Sequence, residues 1–159
     1  GVCPKVLSLR QVQQVLVDHR AYLMPFIDVD PNDSRFQAIQ RIGATGILKG
    51  RGIPYKWANQ TWFYPEQRIN EVDLIDGMRS YYPSFDKIAG SGADVTARFF
   101  ADLLMQVDPT LDMDRLWTVI AKKENQALTR AEVAVLLDRV LKPFERAVDF
   151  TGQFIAQKK

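Results

Sequence analysis

With 159 residues, 47% of them hydrophobic and 25% charged, the chain has the length and composition of one globular domain. Its 21 Lys plus Arg against 19 Asp plus Glu leave a charge of +2, too small to make nucleic acid or an anionic lipid surface the default partner. No apolar run approaches the ~20 residues of a membrane-spanning helix. The lone Cys3 excludes an intrachain disulfide and a cysteine zinc cluster, and the lone His19 leaves no material for a His-rich metal site. The chain opens Gly1-Val2-Cys3-Pro4 without an initiator Met or a signal segment, and is expected to be a piece of a longer protein.

Helical periodicity dominates the reading along the chain. Ser8 is placed to cap a helix carrying Val12, Val15, Leu16, Tyr22 and Leu23, ended by Pro25. The turn Asp30-Pro31-Asn32-Asp33-Ser34 leads, with Asp33 or Ser34 as cap, into a helix with Phe36, Ile39 and Ile42 on one face. Gly43 or Gly46 closes it. Residues 49–68 read as a long loop rich in glycine, proline and aromatics, with room for a short strand pair near Trp62-Phe63-Tyr64. A helix from Asn70 carries Val72, Leu74, Ile75 and Met78. After the seam Gly90-Ser91-Gly92 come helices with Phe99, Phe100, Leu103 and Leu104, then Leu116, Val119 and Ile120. Thr129 caps another that carries Val133, Leu136, Leu137, Val140 and Leu141 up to Pro143. A last segment with Phe144, Val148, Phe150 and Phe154 is read as helical. The expectation is an all-α fold of helix–loop–helix repeats, one domain over 1–159 with halves at about 1–88 and 94–159 joined at 89–93. The repeat shows in Ile69-Asn70-Glu71-Val72-Asp73-Leu74-Ile75 laid on Leu128-Thr129-Arg130-Ala131-Glu132-Val133-Ala134, and more loosely on Leu7-Ser8-Leu9-Arg10-Gln11-Val12.

Tests for familiar chemistry mostly fail. A calcium loop started at Asp28 has Asp33 where Gly is required and Ile39 where Glu is required, and one started at Asp108 ends on Val119. The glycines at 43, 46, 50 and 52 match neither a P-loop nor the dinucleotide fingerprint, and no strand precedes them, so no cofactor is expected in this chain. No metal site and no catalytic residue is assigned. Aromatics give the strongest signal: Tyr55, Trp57, Trp62, Phe63, Tyr64, Tyr81, Tyr82 and Phe85 are eight of the seventeen aromatic residues. Such rings, near Arg51, Asn59 and Gln60, either pin the loop to the core or stack on sugar rings or a protein partner. Trp57, Trp62, Tyr64 and Arg130 are the candidate contacts, although Arg130 and Glu132 also suit ordinary helix-surface pairing. Asn59-Gln60-Thr61 fits the glycosylation sequon.

Two resemblances sit on these residues. Phe26-Ile27-Asp28-Val29, Ala38-Ile39, Gly46-Ile47-Leu48-Lys49-Gly50 and Phe63-Tyr64-Pro65 followed by Ile69 resemble an S-layer homology motif. Leu128-Thr129-Arg130-Ala131-Glu132 is similar to that motif's closing segment, whereas the earlier copy has Asn70-Glu71 in place of Thr-Arg. This resemblance implies helical repeats that bind cell-wall polysaccharide. Secondly, Val6 to Leu16, Ala38 to Gly50 and Trp57 to Phe63 resemble the C-terminal region of bacterial FAD-dependent oxidoreductase-like proteins, some of which, in Bacteroides relatives, are provisionally named xanthan lyases. That likeness spans residues 2 to about 85. It implies a non-catalytic accessory domain of an enzyme whose FAD site lies upstream, with the parent chain and polysaccharide as partners.

Overall fold

The computed structural model describes residues 7–18, 24–143 and 147–148. Strand β1 (Leu7–Ser8) leads directly into α1 (Leu9–Asp18), and α2 (Phe36–Thr45) follows the 30–34 turn. Strands β2 (Arg51–Tyr55) and β3 (Ala58–Trp62) form an antiparallel hairpin. Then come α3 (Glu71–Tyr81), a 3-10 turn at Pro83–Lys87, α4 (Ala97–Val107), α5 (Met113–Ile120) and α6 (Arg130–Val140). Strand β4 (Ala147–Val148) pairs antiparallel with β1.

The all-α expectation is therefore corrected to a mixed, helix-dominated fold. The short strand pair allowed near Trp62-Phe63-Tyr64 is a longer hairpin over residues 51–62, because Tyr55-Lys56-Trp57-Ala58 closes a tight turn, with Lys56 at φ 50°, that lets five residues on each side pair. Ala147–Val148 is strand rather than helix, while Phe144, Phe150 and Phe154 lie outside the described residues, as do Cys3, His19, Tyr22 and Leu23. Ser8 is the last residue of β1 and directly precedes α1. The side chain of Asp33 does not cap α2; it binds the backbone N–H and the guanidinium of Arg35, the residue at the N-cap position. That guanidinium lowers the Asp33 carboxyl below the ordinary carboxylate value. Val12, Val15 and Val72, expected to face inward, are exposed.

The core is one cluster in which Phe63, Phe85, Phe100, Ile39, Ile42 and Leu104 are fully buried. Gly46 ends α2 at φ 80°, a left-handed conformation that costs glycine little. Against this cluster α2 meets α6 through a polar lock. Arg41, 6% exposed, donates from Nε and Nη2 to the two carboxylate oxygens of Asp138, both at 2.7 Å. Its Nη1 donates to Gln13 Oε1 at 3.0 Å, which explains why Gln13 is buried on α1 while Val12 and Val15 are not.

Three helix starts are tied together in a ring. Asn70, Thr96 and Thr129 cap α3, α4 and α6 by accepting from the N–H groups of Asp73, Phe99 and Glu132. Immediately before each cap stands a buried apolar residue, Ile69, Val95 or Leu128, and Val95 N–H donates to Ile69 O and Leu128 N–H to Val95 O. The two leading N–H groups of each helix find acceptors in the segment before another of the three. Glu71 and Val72 donate to Ala93 and Ser91, Ala97 and Arg98 to Gln126 and Glu124, and Arg130 and Ala131 to Gln67 and Pro65. Donors that helix geometry leaves unpaired are thus satisfied by tertiary structure. Sequence comparison aligns only two of these starts well. The third, Val95-Thr96-Ala97, shares the apolar-cap signature but lacks the following charged residue.

Candidate functional site: a basic cleft at Arg130

The ring places the first residue of α6, Arg130, beside the chain leaving the hairpin. Its Nε donates to Phe63 O at 2.8 Å and its Nη2 to Lys49 O at 2.6 Å. The guanidinium carbon stands 4.9 Å from the centroid of the Phe63 ring. Arg130 therefore does more than pair on a helix surface. Glu132, its neighbour, completes a capping box with Thr129 and binds Lys122 Nζ at 2.9 Å.

Around Arg130 opens a cleft of about 410 Å³ between the 46–51 segment, the chain at 64–70 and α3. Lys49, Arg51, Arg68 and Arg130 give it four cations, against the carboxylates of Asp73 and Asp76. Two of these charges are engaged outside the site, since Arg68 binds Asp94 at 3.2 Å and Asp76 binds Arg79 at 2.8 Å. Burial lowers the pKa of Arg130 from the usual arginine value; Asp73 opposes that shift and Arg51 adds to it. An arginine remains charged regardless.

Tyr64 supplies the aromatic wall. Its backbone sits at φ 57°, in the left-handed region where a residue with a Cβ is strained. Asp28 holds it there, with one carboxylate oxygen accepting from Phe63 N–H at 2.8 Å and the other from Tyr64 N–H at 2.7 Å. The rejected calcium-loop residue is thus a brace for the cleft. Asp28→Asn replaces one of the two acceptors with an amide donor. It is expected to cost about 1–3 kcal/mol of stability and to speed amide hydrogen exchange at Tyr64 more than at distant core sites. Equal protection of Tyr64 in both proteins would remove Asp28 from this role.

Of the four candidate contacts, Tyr64 and Arg130 line the cleft. Trp62 lies one layer behind, its ring stacked on Tyr64 with centroids 6.0 Å apart at 25°. Its Nε1–H is buried with no hydrogen-bond partner among the described residues, so stacking and not a polar anchor orients it. Trp57 is not in the cleft at all; it stands at the hairpin turn, 93% exposed. The aromatic cluster divides accordingly, for Phe63, Tyr81 and Phe85 are core. Lys49, Arg68, Asp28 and Asp73 were not assigned to a site from the sequence. The basic alternation Lys49-Gly50-Arg51 was the visible hint for the first.

Comparison with protein-family models, curated proteins and solved structures finds no match for this chain. No described helix is long and apolar enough to cross a membrane.

Proposed function

We propose that this chain is a non-catalytic accessory module that holds an anionic polysaccharide in the cleft at Arg130. One observation carries the reading. The other inward-lying cations are matched by carboxylates, Arg41 by Asp138, Arg35 by Asp33 and Glu66, and Lys122 by Glu132. Arg130 is half-buried with two neutral carbonyls as partners and no carboxylate in salt-bridge contact among the described residues. A desolvated guanidinium with spare N–H capacity favours an incoming carboxylate or phosphate, whose charge-assisted bonds are about twice as strong as neutral ones. Tyr64 offers a ring face for a sugar, and Asn70, Asp73 and Ser80 offer hydrogen-bonding partners for hydroxyls. The similarity to the tail of FAD-dependent oxidoreductase-like proteins supports the accessory role, and purified protein is expected to carry no flavin absorbance.

Calorimetric titration tests the proposal with polygalacturonate, alginate and xanthan as acidic probes and dextran as the neutral control. Binding to an acidic polymer and not to dextran, weakening as salt rises, is the expected result. Arg130→Gln should reduce affinity at least about tenfold. Because Arg130 also bonds two carbonyls, Arg51→Gln serves as the second variant: its side chain is exposed, and its loss should weaken binding without altering the melting temperature. Wild-type protein that ignores all three acidic polymers would falsify the reading, as would release of unsaturated sugars by this chain alone.

A further inference from the structure

The cleft continues onto the hairpin, and the continuation has one chemically distinct face. In the β2–β3 register Arg51 faces Trp62, Ile53 faces Gln60 and Tyr55 faces Ala58. Side chains alternate along a strand, so these six share one side of the ribbon. The base of that side is the cleft itself, because Arg51 lines it and Trp62 backs Tyr64. Thr61, on the opposite side, lies toward Phe26 and Gly50. From Arg51 to Tyr55 the strand runs four residues, about 13 Å. At its far end Tyr55 is half exposed, Lys56 Nζ stands 5.3 Å from the Tyr55 ring centroid, and Trp57 projects almost wholly into solvent.

We propose that this face is an outer subsite, so that the bound glycan is an extended acidic chain running from the Arg130 cleft along the hairpin to Tyr55 and Trp57. The proposal rests on the anionic-polysaccharide reading above. Trp62 and Tyr55 on this face, with Arg51 and Gln60 beside them and Lys56 and Trp57 at the turn, suit a polymer that presents sugar faces and repeated negative charge. A protein strand is a poorer occupant of the hairpin edge, because Pro54 in β2 has no N–H to donate. The edge of β3 is already engaged where Ile27 N–H donates to Thr61 O.

Chain-length dependence separates this proposal from its parent, with galacturonic acid and a long galacturonate oligomer as probes. The oligomer is expected to bind at least about tenfold tighter than the monomer. The double variant Tyr55→Ala/Trp57→Ala, altering only exposed side chains, should bring the oligomer down to monomer affinity and leave the monomer unchanged. Arg130→Gln should weaken both probes. Equal binding of the two probes, or a hairpin variant that keeps full oligomer affinity or weakens both probes alike, overturns the outer subsite and leaves the cleft standing. Absence of wild-type binding to either probe, together with silence toward the other acidic polymers, removes the parent reading as well. Self-association through Trp57 would appear instead as a concentration-dependent mass that the double variant abolishes, with no length effect, and would also overturn the subsite.

Discussion

Asp138→Ala is expected to cost about 3–5 kcal/mol, because it strands the Arg41 guanidinium inside the α2–α6 interface. Arg41 is 6% exposed and Asp138 7% exposed, so water reaches neither well enough to replace the lost partner. Gln13 and Gln37 would remain as acceptors at 3.0 and 3.4 Å, but both are neutral amides. For a chain of this length the loss corresponds to a fall of roughly 10 °C in melting temperature. Urea unfolding of the variant measures it directly. The companion Arg41→Met/Asp138→Leu should recover most of the loss, since removing both charges also removes the desolvation cost. If the single variant lost under 1 kcal/mol, the pair would be contributing little beyond its packing. This lock joins residues 97 positions apart, and it sits behind α6, the helix that presents Arg130.

Gly77→Ala should destabilise the protein by about 3 kcal/mol even though alanine favours helix over glycine by roughly 1 kcal/mol. A Cβ at position 77 would collide with the carbonyl oxygen of Ile47 and lie 2.7 Å from its carbonyl carbon. Backbone cannot rotate aside as a side chain can, so α3 and the 46–50 segment must separate. Both form walls of the cleft, and Lys49 O in that segment accepts from Arg130. The same substitution is therefore expected to weaken acidic-glycan binding at temperatures where the variant is still folded. Thermal melting followed by titration below the transition checks both effects. An alanine variant as stable as the parent would mean that α3 does not approach Ile47 this closely.

These two sites differ in how far they can be read from the chain. Gly77 lies in an ordinary helical stretch, Ile75-Asp76-Gly77-Met78, and nothing local marks it as a contact with residue 47. Arg41 and Asp138 each look like solvent-facing helix charges until α2 and α6 are brought together. Local signals performed well where the cause is local. The apolar spacing of Phe36, Ile39 and Ile42, the helix start at Asn70 and the cap at Thr129 all reappear as helix faces and starts. The failures came where a neighbour changed the outcome. Residues 49–68 look like loop with room for only a short strand pair, because glycine, proline and polar residues interrupt the strand alternation, yet cross-strand pairing holds residues 51–62 as a five-on-five hairpin. Val12 and Val15 have core spacing, but among the described side chains of α1 the buried one is Gln13, drawn in by Arg41.

The candidate site shows the same division. Tyr64 and Arg130 are legible as chemistry-bearing residues, an aromatic beside basic residues and an arginine just inside a capped helix. Their meeting across 66 positions is not, nor is the role of Asp28, whose carboxylate is distinguished only by the two amides it meets. Residue order alone determined which segments coil, where most of them stop, and that no cysteine cluster or histidine-rich centre can be built from this composition. Tertiary structure decided which inward-lying cation lacks a carboxylate among the described residues, which rings face the cleft and which face solvent. The reason is range: helix propensity and capping act over three or four neighbours, whereas burial and charge pairing depend on whatever distant segment packing brings alongside.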